Sequence, residues 1–259
     1  MIDIHNHLQD SRFAKSLDAI IVAMREAGVT KCVTNGTSPK DWRQVADLAK
    51  KYPDFIIPAF GLHPWKIGER PDDWLKTLRS YLNEHPQAHI GECGLDRWIK
   101  TPDISAQKSV FKAHLELAHE LKRPIAIHCL KAWAPLLEVL EDLPLPPRAL
   151  LHSYSGSIEF ARQLCQNHDP WFSFSGYFLQ PKKSKTLEIF RQLPPDRVLI
   201  ETDAPDMLPP PPAISHPLDG ALNHPANLAH IAKKFLETSD LGIDLAQLND
   251  NTDCFLRNV

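Results

Sequence analysis

At 259 residues and 29.3 kDa, the chain is long enough for one large domain or two small ones. Hydrophobic residues make up 43% and charged residues 24%, which is typical of a globular protein and excludes a largely disordered chain or a coiled coil. The net charge of −3 at pH 7 excludes the basic footprint that proteins holding long duplex nucleic acid usually carry.

Short apolar runs of strand length recur along the chain, and most are followed by an amphipathic stretch. The predicted strands are Ile2–Ile4, Lys31–Thr34, Phe55–Phe60, Ala88–Gly91, Pro124–His128, Ala149–His152, Trp171–Ser175 and Val198–Thr202. The predicted helices among them are Lys15–Glu26, Asp41–Lys51, Asp73–Glu84, Ala106–Leu121 and Ser157–Gln166. Continuous apolar strands that alternate with helices are typical of a parallel sheet covered on both faces.

Eight such strands in a chain of this size predict a single (β/α)8 TIM-like barrel that forms one domain over residues 1–259. The competing architecture is a doubly wound open sheet. That fold usually carries a glycine-rich turn after its first strand. Here the first turn reads HNHLQDSRF, which favours the barrel.

A proline-rich segment, Asp203–Pro225, follows the last predicted strand. Proline cannot continue a helix or donate to a strand ladder, so we expect an extended connection. Loops at this end of a barrel build the active site, and we expect this one to form part of its wall. Helical patterns resume at Pro225–Glu237 and Leu245–Arg257.

No apolar run approaches the roughly 18–20 residues that a membrane-spanning helix needs, so we expect no membrane association. The five cysteines are an odd number and show no CxxC spacing. This usage is typical of a reduced chain, and we expect a cytoplasmic protein. The sequence offers no sign of an obligate protein partner.

Histidines and carboxylates lie at the ends of several predicted strands. His5 and His7 are two residues apart on the first strand, so both imidazoles can point to one face. Other strands end at residues with the same chemistry, namely Glu92, His128, His152 and Asp203. Such groups are costly to bury unless they are paired or coordinate a metal, so we expect them to converge on a metal site.

Four imidazoles and two carboxylates exceed what one tetrahedral ion requires, so we expect two divalent ions with one carboxylate between them. The donor set suits zinc, manganese, nickel or iron and is too rich in nitrogen for calcium. Magnesium fits less well but stays among the candidates beside zinc, manganese and nickel.

The motifs together resemble the TatD family of metal-dependent hydrolases, almost from end to end. They are D-x-H-x-H at Asp3–His7, GLHP at Gly61–Pro64, GECGLD at Gly91–Asp96, P-x-x-x-H at Pro124–His128, LHSYSGS at Leu151–Ser157, IETDAPDMLP at Ile200–Pro209 and N-x-PANL at Asn223–Leu228. The resemblance implies a divalent-metal-dependent deoxyribonuclease acting on DNA or another nucleic acid. Some similar proteins instead cleave the ester of aminoacyl-tRNA.

The resemblance also implies roles for individual residues. His5, His7 and Asp203 would hold one metal, His128 and His152 the second, and Glu92 would bridge the two ions. Since Asp203 would then touch both metal and water, we expect it to orient the metal-activated water and accept its proton. Asp203 and Glu92 are therefore the expected catalytic residues.

Two positions depart from the family's usual pattern. Leu130 stands where an arginine is usual, and His224 stands where a glutamate is usual. Both lie where substrate would be contacted, so metal binding is the firmer expectation. The same metal centre hydrolysing a carboxylic ester or amide is the nearest alternative, and a metal-binding barrel without turnover is the second.

Further polar residues have weaker signals. His63, in the GLHP motif, is a candidate phosphate contact, and Asn223 is a candidate substrate contact. Asp96 is expected to be a turn residue or to support a metal ligand. Four other histidines lie on predicted helices or their connections and are expected at the surface: His114, His119, His168 and His230.

Overall fold

The computed structural model describes residues 1–257. Its sheet has eight strands in chain order, with parallel pairing wherever a register is defined. The strands are β1 (Ile2–Asn6), β2 (Lys31–Asn35), β3 (Ile56–Phe60), β4 (His89–Asp96), β5 (Ile125–Leu130), β6 (Ala149–Leu151), β7 (Trp171–Ser175) and β8 (Val198–Glu201). The main difference from prediction is β4, which continues beyond Gly91 so that Glu92 and Asp96 lie on the strand itself.

The last strand lies against the first. The backbone N–H of Asp203, just after β8, donates to the carbonyl of His5 on β1 at 2.9 Å. Further along, the N–H of His7 donates to the carbonyl of Ala204 at 2.8 Å. A parallel sheet in the order β1 to β8 whose last strand meets the first is a (β/α)8 barrel, which confirms the predicted fold class.

Nine α-helices lie within residues 1–257. They are α1 (Leu17–Glu26), α2 (Trp42–Lys51), α3 (Trp74–Glu84), α4 (Ile104–Leu121), α5 (Trp133–Asp142), α6 (Ile158–Asn167), α7 (Ser184–Phe190), α8 (Leu228–Ser239) and α9 (Leu245–Leu256). The sequence analysis did not predict α5 or α7. Pro135 weakens the helical sequence pattern of α5. A proline in the first turn is nevertheless tolerated, because the amide it replaces has no partner within the helix.

The chain forms two compact units, each with an aromatic core. The first comprises residues 1–34, 54–56 and those from 172 onward, and Phe174 packs there against Phe235 and Phe190 at ring-centroid distances of 4.5 and 5.0 Å. The second comprises residues 35–53 and 57–171, and Tyr81 packs there against Phe60 at 5.1 Å. The single domain over residues 1–259 stays a prediction.

Two features bear on the expected environment. Within residues 1–257, no helix combines the length and the apolar character needed to cross a membrane. The five cysteines all fall within this range, and none forms a disulfide.

Candidate metal centre

In the second unit, three imidazoles converge on one carboxylate oxygen. Oε1 of Glu92 lies 2.8 Å from His152 Nε2, 2.9 Å from His128 Nδ1 and 3.2 Å from His63 Nε2. We call these four residues the Glu92 cluster. Glu92 lies on β4 and His128 on β5, whereas His152 follows β6 and His63 lies three residues after β3. The parallel sheet brings these four neighbouring strands together.

The charge of Glu92 is set by these neighbours. Glu92 is 3% exposed, and burial alone would raise the pKa of its carboxyl group. The charges of His152 and His63 and hydrogen bonds from His128 and His152 nevertheless hold this pKa well below its usual value. An ionised carboxylate among imidazole nitrogens is a site that favours a cation.

Asp96 supports the cluster from behind. Its Oδ2 lies 2.9 Å from His128 Nε2, the ring nitrogen opposite the one that faces Glu92. Although burial would raise the pKa of Asp96, hydrogen bonds from His128 and Trp65 hold it below its usual value. A carboxylate bonded to the outer nitrogen fixes the orientation of a metal-binding imidazole. Asp96 therefore has the supporting place that the sequence analysis expected.

His63 belongs to the Glu92 cluster, which the sequence analysis did not predict. Its Nδ1 accepts a hydrogen bond from the backbone N–H of Trp65 at 3.1 Å, and its Nε2 faces Glu92. A ring nitrogen that accepts carries no proton, so in neutral His63 the proton lies on Nε2. The available signal was the position of His63 three residues after the end of β3, at the same edge as the other strand-end residues.

A glycine makes room for the cluster. Gly94 has a φ of +140°, and a Cβ on it would lie 2.0 Å from the carbonyl oxygen of His128. Only glycine tolerates both the positive φ and the close approach. The GECGLD motif therefore needs Gly94 so that β4, which carries Glu92, can lie close to β5, which carries His128.

The first unit holds a second group of predicted ligands. Oδ1 of Asp203 lies 3.4 Å from His7 Nε2 and 3.8 Å from His5 Nε2, and the two imidazole rings meet edge to face at 5.1 Å. We call these three residues the Asp203 cluster. His5 is fully buried, whereas the side chain of Asp203 is 13% exposed. Asp203 also has a φ of +53°, a conformation that turns the chain sharply at the end of β8.

Asp3, the first residue of the D-x-H-x-H motif, connects β1 to the end of β8 next to the Asp203 cluster. Its carboxylate accepts from the N–H and hydroxyl of Thr202 at 2.9 and 2.6 Å and from the amide of Asn6 at 3.0 Å. Burial raises the pKa of Asp3 to about 7, although these hydrogen bonds act against the shift. Asp3 therefore ties the exit of β8 to β1, beside His5.

Asn223 has structural contacts at both ends of its amide. Its Nδ2 donates to the carbonyl of Thr202 at 2.8 Å, and its Oδ1 accepts from the side chain of Asn227 at 3.1 Å. The side chain is fully buried, so these contacts hold the end of the proline-rich segment against β8. The substrate contact predicted for Asn223 stays a prediction. The segment itself contains short 3₁₀ turns at Pro211–Ala213 and Asp219–Ala221 rather than being extended throughout.

One predicted surface histidine is instead buried. His114 on α4 is 0% exposed, and its Nε2 accepts from the N–H of Leu62 at 3.1 Å while its Nδ1 lies 2.8 Å from the carbonyl of Val110. The expectation of a surface group was wrong because the helical pattern does not show that a loop packs on this face of α4.

The donors present fit a divalent metal. Glu92 Oε1 and His128 Nδ1 lie 2.9 Å apart, and each can offer a ligand atom. His152 offers a further nitrogen at the same carboxylate oxygen. Imidazole and carboxylate together are the donors that zinc, manganese, nickel and iron accept in proteins.

Comparisons with known proteins agree with this chemistry. Residues 2–254 match the sequence model of the family described as TatD-related DNase. The chain is 32% identical over 256 residues to the "3′-5′ ssDNA/RNA exonuclease TatD" of Erwinia tasmaniensis, covering 95% of this chain and 96% of that protein. It is 30% identical over 244 residues to the "uncharacterized metal-dependent hydrolase YabD" of Bacillus subtilis, covering 93% and 92%.

A solved structure shows the same fold. The crystal structure of YJJV, a TatD homologue from Escherichia coli K12, superposes with a TM-score of 0.87 at 28% identity. The superposition covers 100% of this chain and 98% of that one. The likeness therefore extends over all the strands and helices that carry the two clusters.

Proposed function

Since the chain belongs to the family of TatD-related DNases and is a metal-dependent hydrolase of the nuclease type, we propose that it cleaves the phosphodiester bonds of DNA. The observation that carries this proposal is the Glu92 cluster, a buried ionised carboxylate contacted by three imidazoles at the edge where barrel enzymes keep their active sites. The relative from Erwinia, named as an exonuclease of single-stranded DNA and RNA, supports a nucleic-acid substrate.

For the metal centre, we propose two divalent ions, with zinc, manganese, magnesium and nickel as candidates. His5, His7 and Asp203 would hold one ion, and His128 and His152 the other, with Glu92 bridging them. The chemistry of the donors and the place of each residue at a strand end support this assignment. When bound, the two ions would acidify a water molecule and offset negative charge on the phosphate.

Two residues of the protein would orient the water, accept its proton and contact the phosphate. Asp203, partly exposed at the end of β8, has an oxygen available to orient the attacking water and accept its proton. His63 carries its proton on Nε2, because its Nδ1 accepts from Trp65. It is therefore suited to donate a hydrogen bond to a phosphate oxygen, which supports the phosphate contact predicted from the sequence.

A paired-substrate assay tests the proposal. The protein is stripped with a chelator, reloaded with each candidate metal, and assayed on bis(p-nitrophenyl) phosphate, a single-stranded oligonucleotide and p-nitrophenyl acetate. We expect metal-dependent hydrolysis of both phosphodiesters. Hydrolysis of the acetate alone would instead support the carboxylic ester or amide alternative, and inertness of every metal-loaded preparation would support a barrel that binds metal without turnover. Glu92→Gln, loaded in the same way, is the matched control for contaminating nuclease.

The remaining expectations concern location and partners. We propose a reduced, cytoplasmic environment, which the odd number of cysteines without CxxC spacing supports. A nucleic-acid strand bound transiently during turnover is the partner that this function requires.

A further inference from the structure

Two exposed tryptophans are anchored to the carboxylate that supports the Glu92 cluster. Trp98 is 62% exposed and Trp65 is 55% exposed, although large hydrophobic side chains are mostly buried in this protein. The indole N–H of Trp65 donates to Asp96 Oδ2 at 2.7 Å, and the backbone N–H of Trp98 donates to Asp96 Oδ1 at 2.5 Å. The same Asp96 contacts His128. The indole of Trp65 and the backbone of Trp98 are therefore held beside the metal-ligand candidates.

A lysine completes this surface. β5 ends at Leu130, and Lys131 then adopts a φ of +55°, an uncommon conformation for a residue with a side chain. On a continuing strand, Lys131 would point away from the face that Leu130 occupies. The turn instead places Nζ of Lys131 4.6 Å from the centroid of the Trp98 ring. The chain thus sets a flexible cation over an exposed indole, three residues after His128.

We propose that Trp65, Trp98 and Lys131 form a subsite for an unpaired nucleotide of a single-stranded nucleic acid. We call it the indole subsite. A base stacks on the exposed face of Trp98 and takes the place of the ammonium, which moves on its flexible stem to pair with the adjacent phosphate. Trp65 presents a second aromatic surface for a neighbouring base. The inference rests on the proposed function, since the indole subsite flanks the cluster at which the strand is cut.

The chemistry of the indole subsite selects single strands. Every base has a π-face, so a tryptophan can stack on a base in any sequence. A nearby cation binds the negatively charged backbone, which is the same at every position. In a duplex, both faces of an internal base are already stacked, so the base cannot reach an indole without being unpaired. The indole subsite therefore favours unpaired ends and explains how a protein with a net charge of −3 can hold a polyanion.

Binding without turnover tests the inference. The full chain is titrated, in EDTA, into a fluorescein-labelled oligothymidylate of about ten nucleotides, a length within the range of single-strand sites, and anisotropy is recorded. Trp98→Ala is expected to weaken binding about 5- to 150-fold, the effect of losing one stacked base. Trp98→Phe keeps a ring and should retain most of the affinity. Val22→Ala, which alters an exposed apolar side chain elsewhere, should bind as the wild type does.

The lysine has its own readout. Lys131→Gln should lower the slope of log K against log salt concentration by about 0.7, the value for one phosphate of a single strand. Folded Trp98→Ala with unchanged affinity would overturn the stacking role, and an unchanged salt slope in Lys131→Gln would overturn the role of the cation. If Trp98→Ala weakened the binding of a blunt duplex as much as the binding of the oligothymidylate, the selection of single strands would be overturned.

The proposed function is tested separately. Wild-type protein that binds the oligonucleotide through Trp98 yet fails to hydrolyse bis(p-nitrophenyl) phosphate with any metal would reject the nuclease and keep the indole subsite. Wild-type protein that hydrolyses this small phosphodiester while Trp98→Ala binds the oligonucleotide normally would keep the nuclease and reject the indole subsite.

Discussion

Replacing Asp96 with asparagine should disturb the metal centre without removing any proposed ligand. Oδ2 of Asp96 faces two donors, Nε2 of His128 at 2.9 Å and the indole N–H of Trp65 at 2.7 Å. Oδ1 faces two further donors, the backbone N–H groups of Trp98 and Ile99 at 2.5 and 3.3 Å. An asparagine amide has only one oxygen, so either orientation sets its NH₂ group against two donors.

The least costly response to Asp96→Asn is a change in which ring nitrogen of His128 carries the proton. A metal ligand must present an unprotonated nitrogen, which for His128 is Nδ1 while Nε2 donates to Asp96. If the proton moves from Nε2 to Nδ1, Nε2 can accept from the new amide, but Nδ1 then has no lone pair for the metal. Metal affinity should fall about 10- to 100-fold, the usual effect of losing such a supporting contact. The donor that stays unpaired should also lower the free energy of unfolding by about 1–3 kcal/mol.

A competition titration with a chromogenic chelator measures the metal affinity, and urea unfolding measures the stability. Asp142→Asn is the matched control, because Asp142 makes an exposed ion pair with Lys112 at 2.5 Å and its side chain is 69% exposed. We expect this control to retain wild-type metal affinity. An Asp96→Asn protein with unchanged metal affinity would refute the argument that Asp96 orients His128.

The remaining predictions concern Glu92, Asp203 and His114. Glu92→Gln should weaken both metal ions together and lower the Tm, whereas His152→Ala should weaken mainly one; equal metal content and Tm in wild type and Glu92→Gln would argue against a bridging role. Asp203→Asn should lower kcat about 10²–10⁴-fold with little change in KM, and a fully metallated variant with near-normal kcat would rule out the proton-accepting role. Burial lowers the pKa of His114 to about 4, below its unfolded value, so the unfolded state binds the proton first and stability is lost as the pH falls below about 6.5. His114 should cost about 2 kcal/mol between pH 6.5 and 5, and urea unfolding of His114→Gln at both pH values should show a correspondingly smaller loss.

Much of the fold could be predicted because it depends on local patterns. Strand-length apolar runs and amphipathic stretches are short-range features, and eight strands of this kind correctly predicted the barrel. The missing elements were those whose local pattern is weak. A proline hides the start of α5, and α7 is only seven residues long. The continuation of β4 through two glycines was missed because glycine normally weakens a strand pattern.

The positions of several candidate site residues could be predicted, whereas their contacts could not. Strand-end position identified Glu92 and His128, which lie 2.9 Å apart, as well as His5 and Asp203, which the exit of β8 joins to β1. The same reasoning gave His63 a substrate role without indicating its contact with Glu92. That contact depends on how far the chain after β3 turns inward, which no local pattern reports.

By itself, then, the sequence determined the parallel barrel and the set of imidazoles and carboxylates at its strand ends, since periodicity and side-chain alternation operate over a few residues. The tertiary structure alone decided which of these groups touch. Asp96 meets His128 across 32 positions of sequence, His114 is buried by a loop 52 positions away, and Lys131 reaches Trp98 through a single left-handed residue. These contacts depend on the packing of distant segments and on the backbone conformation of single turn residues, so they become visible only when the strands are placed side by side.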